Sequence, residues 1–326
     1  MSEYRINVEI MEGDLFRQLP PKLLLEHCLS CILTDMREAG GSRMRSTFAF
    51  VLVLALPTVF LNGAVWGQCD SIYVSLALLG LLLCLREKPV WGMIAFGVSF
   101  AFKLQAIFLL PVVLLLLYVG KVRWYHLPVF PAAYVAAVSP AILAGRGFLD
   151  TLLLYVNTAS TAGSSLNYNS PSMYSLLYFY RVSDTDAAGK AGILAAFLFC
   201  VAVFAFFLVR RKRITDRSLV FAALLFTLAL PLLLPHMHDR YFYFVDILTL
   251  VLACLVKPGI AAAFFSQFAS LLGYHAYFFL RYLYPMRWGF WLLVLVLGYT
   301  VFLTVRELCL PANGTSVKKP PAKKRA

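Results

Sequence analysis

Apolar residues run along this chain in long blocks separated by short polar or basic junctions. Ten blocks are long enough, or nearly so, to cross a hydrocarbon core about 30 Å thick. They lie at roughly 47–64, 70–85, 89–103, 104–120, 127–145, 188–209, 218–235, 240–256, 258–283 and 288–305. A span in lipid must satisfy its own backbone polar groups, and an α-helix does so within one segment. The pattern therefore predicts an all-α fold, a polytopic transmembrane helix bundle of about ten spans. A polar segment (1–46) precedes the helical domain (47–306), a long loop (145–187) interrupts it, and a basic tail (307–326) follows.

Composition excludes a soluble domain, because 61% of the residues are apolar and only 14% charged. The net charge of +13 does not mark a nucleic-acid binder, since the basic residues sit in short loops and a tail. Arg43 and Arg45, Arg86 and Lys88, Lys121 and Arg123, Arg210–Arg213 with Arg217, Lys257 and the tail Lys318–Arg325 all fall on one face if there are ten spans. The positive-inside rule makes that face cytoplasmic, together with both termini. Merging 89–120 into one tilted helix would place Arg210–Arg213 opposite Arg86, so the charge pattern favours a hairpin turning near Lys103. That turn also spares Lys103 the cost of a mid-membrane position, about 2.5–3.5 kcal/mol on insertion scales.

The ends of the chain carry weaker signals. Residues 1–42 hold Glu9, Glu12, Asp14 and Glu26 and are too polar to span, and nothing there looks like a cleavable signal peptide. Cys28 and Cys31 form a CxxC with no second pair, a poor metal or redox signal. The Pro- and Lys-rich tail is expected to be disordered and to rest on anionic membrane lipids. The sequon at Asn313 falls on the cytoplasmic side and is discounted.

The remaining polar clusters gather on the opposite, outer face. A loop of some 40 residues is usually functional. Within it Gly147–Ala159 has helical apolar spacing suited to lying in the interface, and a turn-rich cluster from Asn167 to Ser172 precedes the aromatic run Tyr174–Tyr180. The loop charges Arg146, Asp150, Arg181, Asp184 and Asp186 read as solvated. Arg281 and Arg287 read as anchors, and His126 and His275 as structural.

Three clusters have chemical potential. In VWGQCDSIY, Trp66 and Gln68 precede Asp70, which either serves as a general base or caps the following helix. Lys103 and Gln105 stand between two apolar segments, where a lysine either binds phosphate or snorkels to water. LPHMHDRYFYF packs His236, His238, Asp239 and Arg240 into one junction, with Asp246 one to two turns further on, facing the bundle interior. Imidazole and guanidinium groups suit a phosphate leaving group, and a local Asp239–Arg240 ion pair is the plainer reading. For a divalent cation, two histidines and one acid form an incomplete ligand set, so no cofactor is assigned. No glycine-rich phosphate loop, GxSxG or HExxH occurs. An outer-face enzyme without a nucleotide site is expected to use a lipid-linked donor.

Three segments in order, Ala64–Pro111, Asn167–Leu177 and Pro235–Phe244, resemble the bacterial relatives of the glycosylphosphatidylinositol mannosyltransferases, polytopic enzymes of the GT-C class. The resemblance spans roughly residues 48–305. It implies transfer of a sugar, mannose by analogy, from a polyprenyl-phosphate donor to a lipid or glycan acceptor outside a bacterial plasma membrane, with inversion. It carries over the positions Trp66, Gln68, Asp70, Lys103, Gln105, His236, His238, Asp239 and Arg240, among which side-chain chemistry assigns Trp66, Gln68, Lys103, Gln105, His236 and Arg240 to substrate binding and Asp70, His238 and Asp239 to catalysis. Such enzymes place an essential acid in an earlier outer loop, so the resemblance also implies a chain lacking amino-terminal spans and inactive if the base went with them. The rival reading is a transporter or flippase for a lipid-linked or small polar substrate. It is disfavoured because transporters bind near the midplane on broken helices.

Overall fold

In a computed structural model, the described residues are 52–155, 165–177, 185–256 and 258–310, and they form an all-α membrane helix bundle. The polar segment 1–46 with Cys28 and Cys31, tail residues 311–326, and Lys257, Arg181, Asp184 and Tyr178–Tyr180 lie outside the described residues. The helices are α1 (Pro57–Phe60, continued by a π-helical turn Leu61–Val65), α2 (Asp70–Leu85), α3 (Pro89–Phe102), α4 (Leu110–Val119, preceded by a 3-10 turn Leu104–Leu109) and α5 (Val129–Leu143). After a short α6 (Phe148–Leu152) come α7 (Thr185–Val209), α8 (Asp216–Leu233), α9 (Tyr243–Leu255), α10 (Gly259–Phe279) and α11 (Arg287–Cys309). Helical residues occupy each of the ten apolar blocks where it is described, residues 47–51 of the first block lying outside the described residues, and α6 falls in the long loop.

By length and composition, Trp124–Leu143, Thr185–Val209, Asp216–Leu233 and Arg287–Cys309 can each cross a membrane unaided. Segments 70–85, 89–102, 104–119 and 243–255 are shorter. Sixteen residues reach only about 24 Å. Segments 70–85 and 243–255 are buried along most of their length, whereas Trp91 and Phe102 near the two ends of 89–102 are exposed. Burial orders the layers: 78% of the best α8 window is enclosed, against 6% for the window that includes α5.

The chain reverses at Lys103. This residue is extended (φ −158°, ψ 132°), which ends α3, and its ammonium pairs with Asp70 at the first turn of α2. Lys121, beyond the other end of 104–119, donates to the Leu85 carbonyl at the last turn of α2 (3.0 Å). Segment 104–119 therefore runs back along α2, which rules out the single long helix. The basic junctions meet at the Lys121 end: Lys121 pairs with Asp216 (3.1 Å), Arg213 donates to the Cys309 carbonyl (2.7 Å) and Thr215 to Glu307 (3.2 Å). The polar clusters collect at the Asp70 end.

Small residues set how closely the first hairpin packs. A Cβ on Gly92 of α3 would collide with the Cys84 sulfur and stand 2.9 Å from the Gly80 carbonyl, while one on Gly80 would stand 2.9 Å from the Phe96 ring. Without a hydrophobic drive between helices in lipid, this intimacy supplies the packing. Gly92→Val is expected to cost about 1–3 kcal/mol by overpacking, read as a lower melting temperature in detergent. Gly298→Val, at a position with no neighbour within 4 Å, is expected to melt like the parent chain. Equal melting of the two variants would refute the tight hairpin.

Candidate functional site

The site begins where α1 loosens. The π-helical turn lets Trp66 N–H donate to the Leu61 carbonyl (2.9 Å) and Gln68 N–H to the Asn62 carbonyl (2.9 Å), and Gly67 turns the chain at φ +67°. Such π turns often accompany functional sites. Here the turn directs Asn62 inward, fully buried, where its amide donates to Asp70 Oδ2 (2.7 Å) and to the Tyr274 hydroxyl (3.2 Å).

Asp70 is not a helix cap. It is the first residue of α2, Cys69 occupies the cap position, and no side-chain cap bond forms. Its carboxylate, 1% exposed, accepts from Asn62, pairs with Lys103 through Oδ1, and faces Arg240 Nε at 4.0 Å. Lys103 is thus held by an acid rather than snorkelling alone, and it also lies 5.6 Å from the Tyr73 ring centroid.

The Arg240 guanidinium bridges the two acids at ion-pair distance without hydrogen-bonding either. Its Nη1 is 3.9 Å from Asp239 Oδ1, its Nε is buried without a hydrogen-bond partner, and its guanidinium sits 5.2 Å over Trp66. The expected Asp239–Arg240 ion pair is therefore loose, and Arg240 is shared with Asp70. Trp66 in turn stacks on Tyr277 at 4.0 Å and meets Tyr274 edge-on at 5.3 Å. A guanidinium held by a ring face keeps its N–H fork available for an anion.

Asp239 is 3% exposed and its Oδ1 accepts no hydrogen bond. Burial pushes its carboxyl up to about 7, against the pull of Arg240. Burial likewise lowers the His238 imidazole, reinforced by Arg240 and then Lys103. His238 lies flat on Tyr168, ring centroids 4.6 Å apart and planes 10° apart, and 5.2 Å from Tyr241.

That stacking belongs to a strap across the site. Strand β1 (Asn167–Tyr168) pairs in parallel with β2 (Met237–His238), with Asn167 opposite Met237 and Tyr168 opposite His238. His236 is spent on this strap: at φ +62°, its N–H donates to the Leu166 carbonyl (2.9 Å) and its Nδ1 contacts the Ser165 carbonyl (2.8 Å). Tyr282 donates to Asn169 (2.6 Å), tying in the α10–α11 connection. Gly273 permits the close approach, since a Cβ there would stand 2.9 Å from the Asn169 carbonyl and 3.1 Å from Asp239.

The structure thus gathers Trp66, Asp70, Lys103, Asp239 and Arg240, with His238 beside them and His236 in the strap. Gln105 is buried beside Tyr241, its Oε1 without a partner. Gln68 is half-buried at the rim, with its backbone tied to Asn62. Among the described residues, no three histidines, cysteines or acids cluster as a metal site. Asn62 and Tyr274 join the site from outside the three sequence clusters, and Tyr168 joins it from the Asn167–Ser172 turn. An asparagine inside an apolar span was the signal for the first.

The bundle of apolar helices marks an integral membrane protein, and it gathers two buried acids and two cations at one end. The model of glycosyltransferase family 87 matches residues 23–235, well over half of the sequence, and the chain belongs to that family. The match takes in Asn62, Trp66, Asp70, Lys103 and Gln105 and stops at Pro235, just before the His236–Arg240 junction. No curated protein and no solved structure matches the chain.

Removing one partner of a buried ion pair strands the other charge. Lys103→Met is expected to destabilise the protein by about 3–5 kcal/mol and Lys103→Met with Asp70→Asn by much less. Thermal melting of the single and double variants checks this, and a double variant no more stable than Lys103→Met would refute the pairing.

Proposed function

We propose that this membrane glycosyltransferase moves a sugar from a polyprenyl-phosphate donor to a hydroxyl of a lipid or glycan acceptor, on the extracytoplasmic side, in the manner of GT-C enzymes. Mannose is the sugar that the resemblance to glycosylphosphatidylinositol mannosyltransferases supports. The observation that carries the proposal is Arg240, held over Trp66 with its Nε without a hydrogen-bond partner and standing across Asp70 from Lys103.

In this reading Lys103 and Arg240 bind the donor phosphate, and Asp70, committed to Asn62 and Lys103, aims the cations. Asp239 has an oxygen without a hydrogen-bond partner and a carboxyl poised near neutrality, which suits a general base. The acceptor oxygen attacks the anomeric carbon from the face opposite the phosphate and its proton passes to Asp239. The bond from the anomeric carbon to the phosphate oxygen breaks with its electron pair, and Lys103 and Arg240 stabilise the charge that develops there. His238, neutral and stacked on Tyr168, lines the sugar side. The one-sided grouping of these residues supports an enzyme over a transporter with a midplane site.

The test is transfer from radiolabelled polyprenyl-phosphate-mannose by membranes carrying the full chain, compared with Asp239→Asn and His238→Ala. Asp239→Asn is expected to lower the rate by about 10²–10⁴-fold. Because the Asp239 carboxyl is neutral below about 7 and ionised above it, the parent rate is expected to rise as pH passes through about 7. A rise centred below about 6.5 that disappears in His238→Ala would give the base role to His238 instead. Unchanged transfer by Asp239→Asn would remove that residue from the mechanism.

A further inference from the structure

One helical turn below Asn62 lies a second set of buried polar groups that the proposed chemistry does not use. Asp246, in the first turn of α9, is fully buried, and its Oδ1 accepts from Ser266 (2.5 Å) and Ser270 (3.0 Å), both on α10. Beside it, Thr58 of α1 donates its hydroxyl (3.1 Å) and its backbone N–H (3.4 Å) to Gln267 Oε1 on α10. A carboxyl inside an apolar bundle is costly unless it is hydrogen-bonded. Here both serine hydroxyls converge on one oxygen, and sliding α10 by one turn against α9 would break at least one of these bonds.

The spacing connects this latch to the site. Ser266, Ser270 and Tyr274 recur every four residues and so share one face of α10, and Thr58 and Asn62 share one face of α1. The lower rung is Thr58–Gln267 with Asp246 between the serines. The upper rung is Asn62–Tyr274, and Asn62 is the residue that orients Asp70. Near its start α10 is also seated closely on α9, since a Cβ on Gly259 would stand 2.5 Å from the Leu252 carbonyl. One turn beyond Ser270 Gly273 abuts Asp239, and two turns beyond it Tyr277 stacks on Trp66. The placement of α10 thus bears on Asp70, Asp239 and, through Trp66, Arg240.

We propose that Asp246 is a positioning residue for sugar transfer: it latches α10 in the register at which Tyr274 and Asn62 hold Asp70 against Lys103 and Arg240. The role assumes the transfer reaction proposed above, but the latch itself is tested without substrate. Cys69 is partly exposed, directly precedes Asp70, and reports on this end of the bundle.

In the full chain with its other cysteines replaced by alanine, the rate of Cys69 alkylation by a water-soluble maleimide is measured in detergent. Transfer from polyprenyl-phosphate-mannose is measured in parallel. Asp246→Leu is expected to raise alkylation several-fold and to lower transfer by on the order of 100-fold, as misplacement by about 1 Å can. Asp246→Asn keeps an acceptor oxygen for both serines and is expected to stay within about twofold of the parent in both assays. A merely space-filling role would be satisfied by leucine. Parental alkylation in Asp246→Leu, or an effect of Asp246→Asn as large as that of Asp246→Leu, overturns the proposal. If Asp246→Leu does not accumulate, Ser266→Ala with Ser270→Ala removes the same bonds, and unchanged alkylation there overturns it equally. Should the parent chain transfer no sugar from this donor, the reaction proposal falls while alkylation still decides the latch.

Discussion

A fully buried carboxylate at the end of an apolar helix sets the terms for the rest of this structure. Asp70 keeps its charge out of water, so its neighbours must supply what the solvent would have given. Asn62, Lys103 and, at longer range, Arg240 do so from three separate parts of the chain. Each partner has a structural consequence. Asn62 reaches inward because α1 ends in a π-helical turn, Lys103 ends α3 and reverses the chain, and Arg240 is carried on a junction strapped to the long loop. The site is the place where these constraints are met together.

The two acids of the site live in different surroundings, and the proposed mechanism gives each a different role. Asp70 is surrounded by donors, whereas Asp239 lies behind Gly273 with one oxygen left without a hydrogen bond, and burial raises its carboxyl toward neutrality. Environments that separate two carboxyls in this way commonly separate a charge-holding role from a proton-transferring one. Arg240 lies between them, and its ring contact with Trp66 fixes the guanidinium without satisfying it. Membership in glycosyltransferase family 87 gives this arrangement a chemical setting, and the proposed phosphate contact gives the guanidinium a use.

Much of the fold was legible because lipid simplifies the problem: a spanning block must be a helix, and block lengths and loop charges order the helices. The turn at Lys103 was readable from charge alone. What could not be read were pairings between distant residues. Nothing near Asn62 indicates that its partner is Tyr274, and an acid before an apolar helix looks like a cap until its neighbours are placed. His236 and His238 stood two residues apart in one conspicuous motif, yet a left-handed backbone at His236 gives one ring to the strap and the other to the site. The strap itself pairs only two residues from each strand, too short to leave a periodic signal.

The most direct test of this account is a cryo-electron microscopy structure of the full chain with a polyprenyl phosphate bound. The account predicts phosphate oxygens within hydrogen-bonding distance of Arg240 and Lys103, with Asn62 still on Asp70 and Asp239 open toward the acceptor side. A phosphate bound away from both cations, with the Asp70 cluster unchanged beside it, would contradict the account.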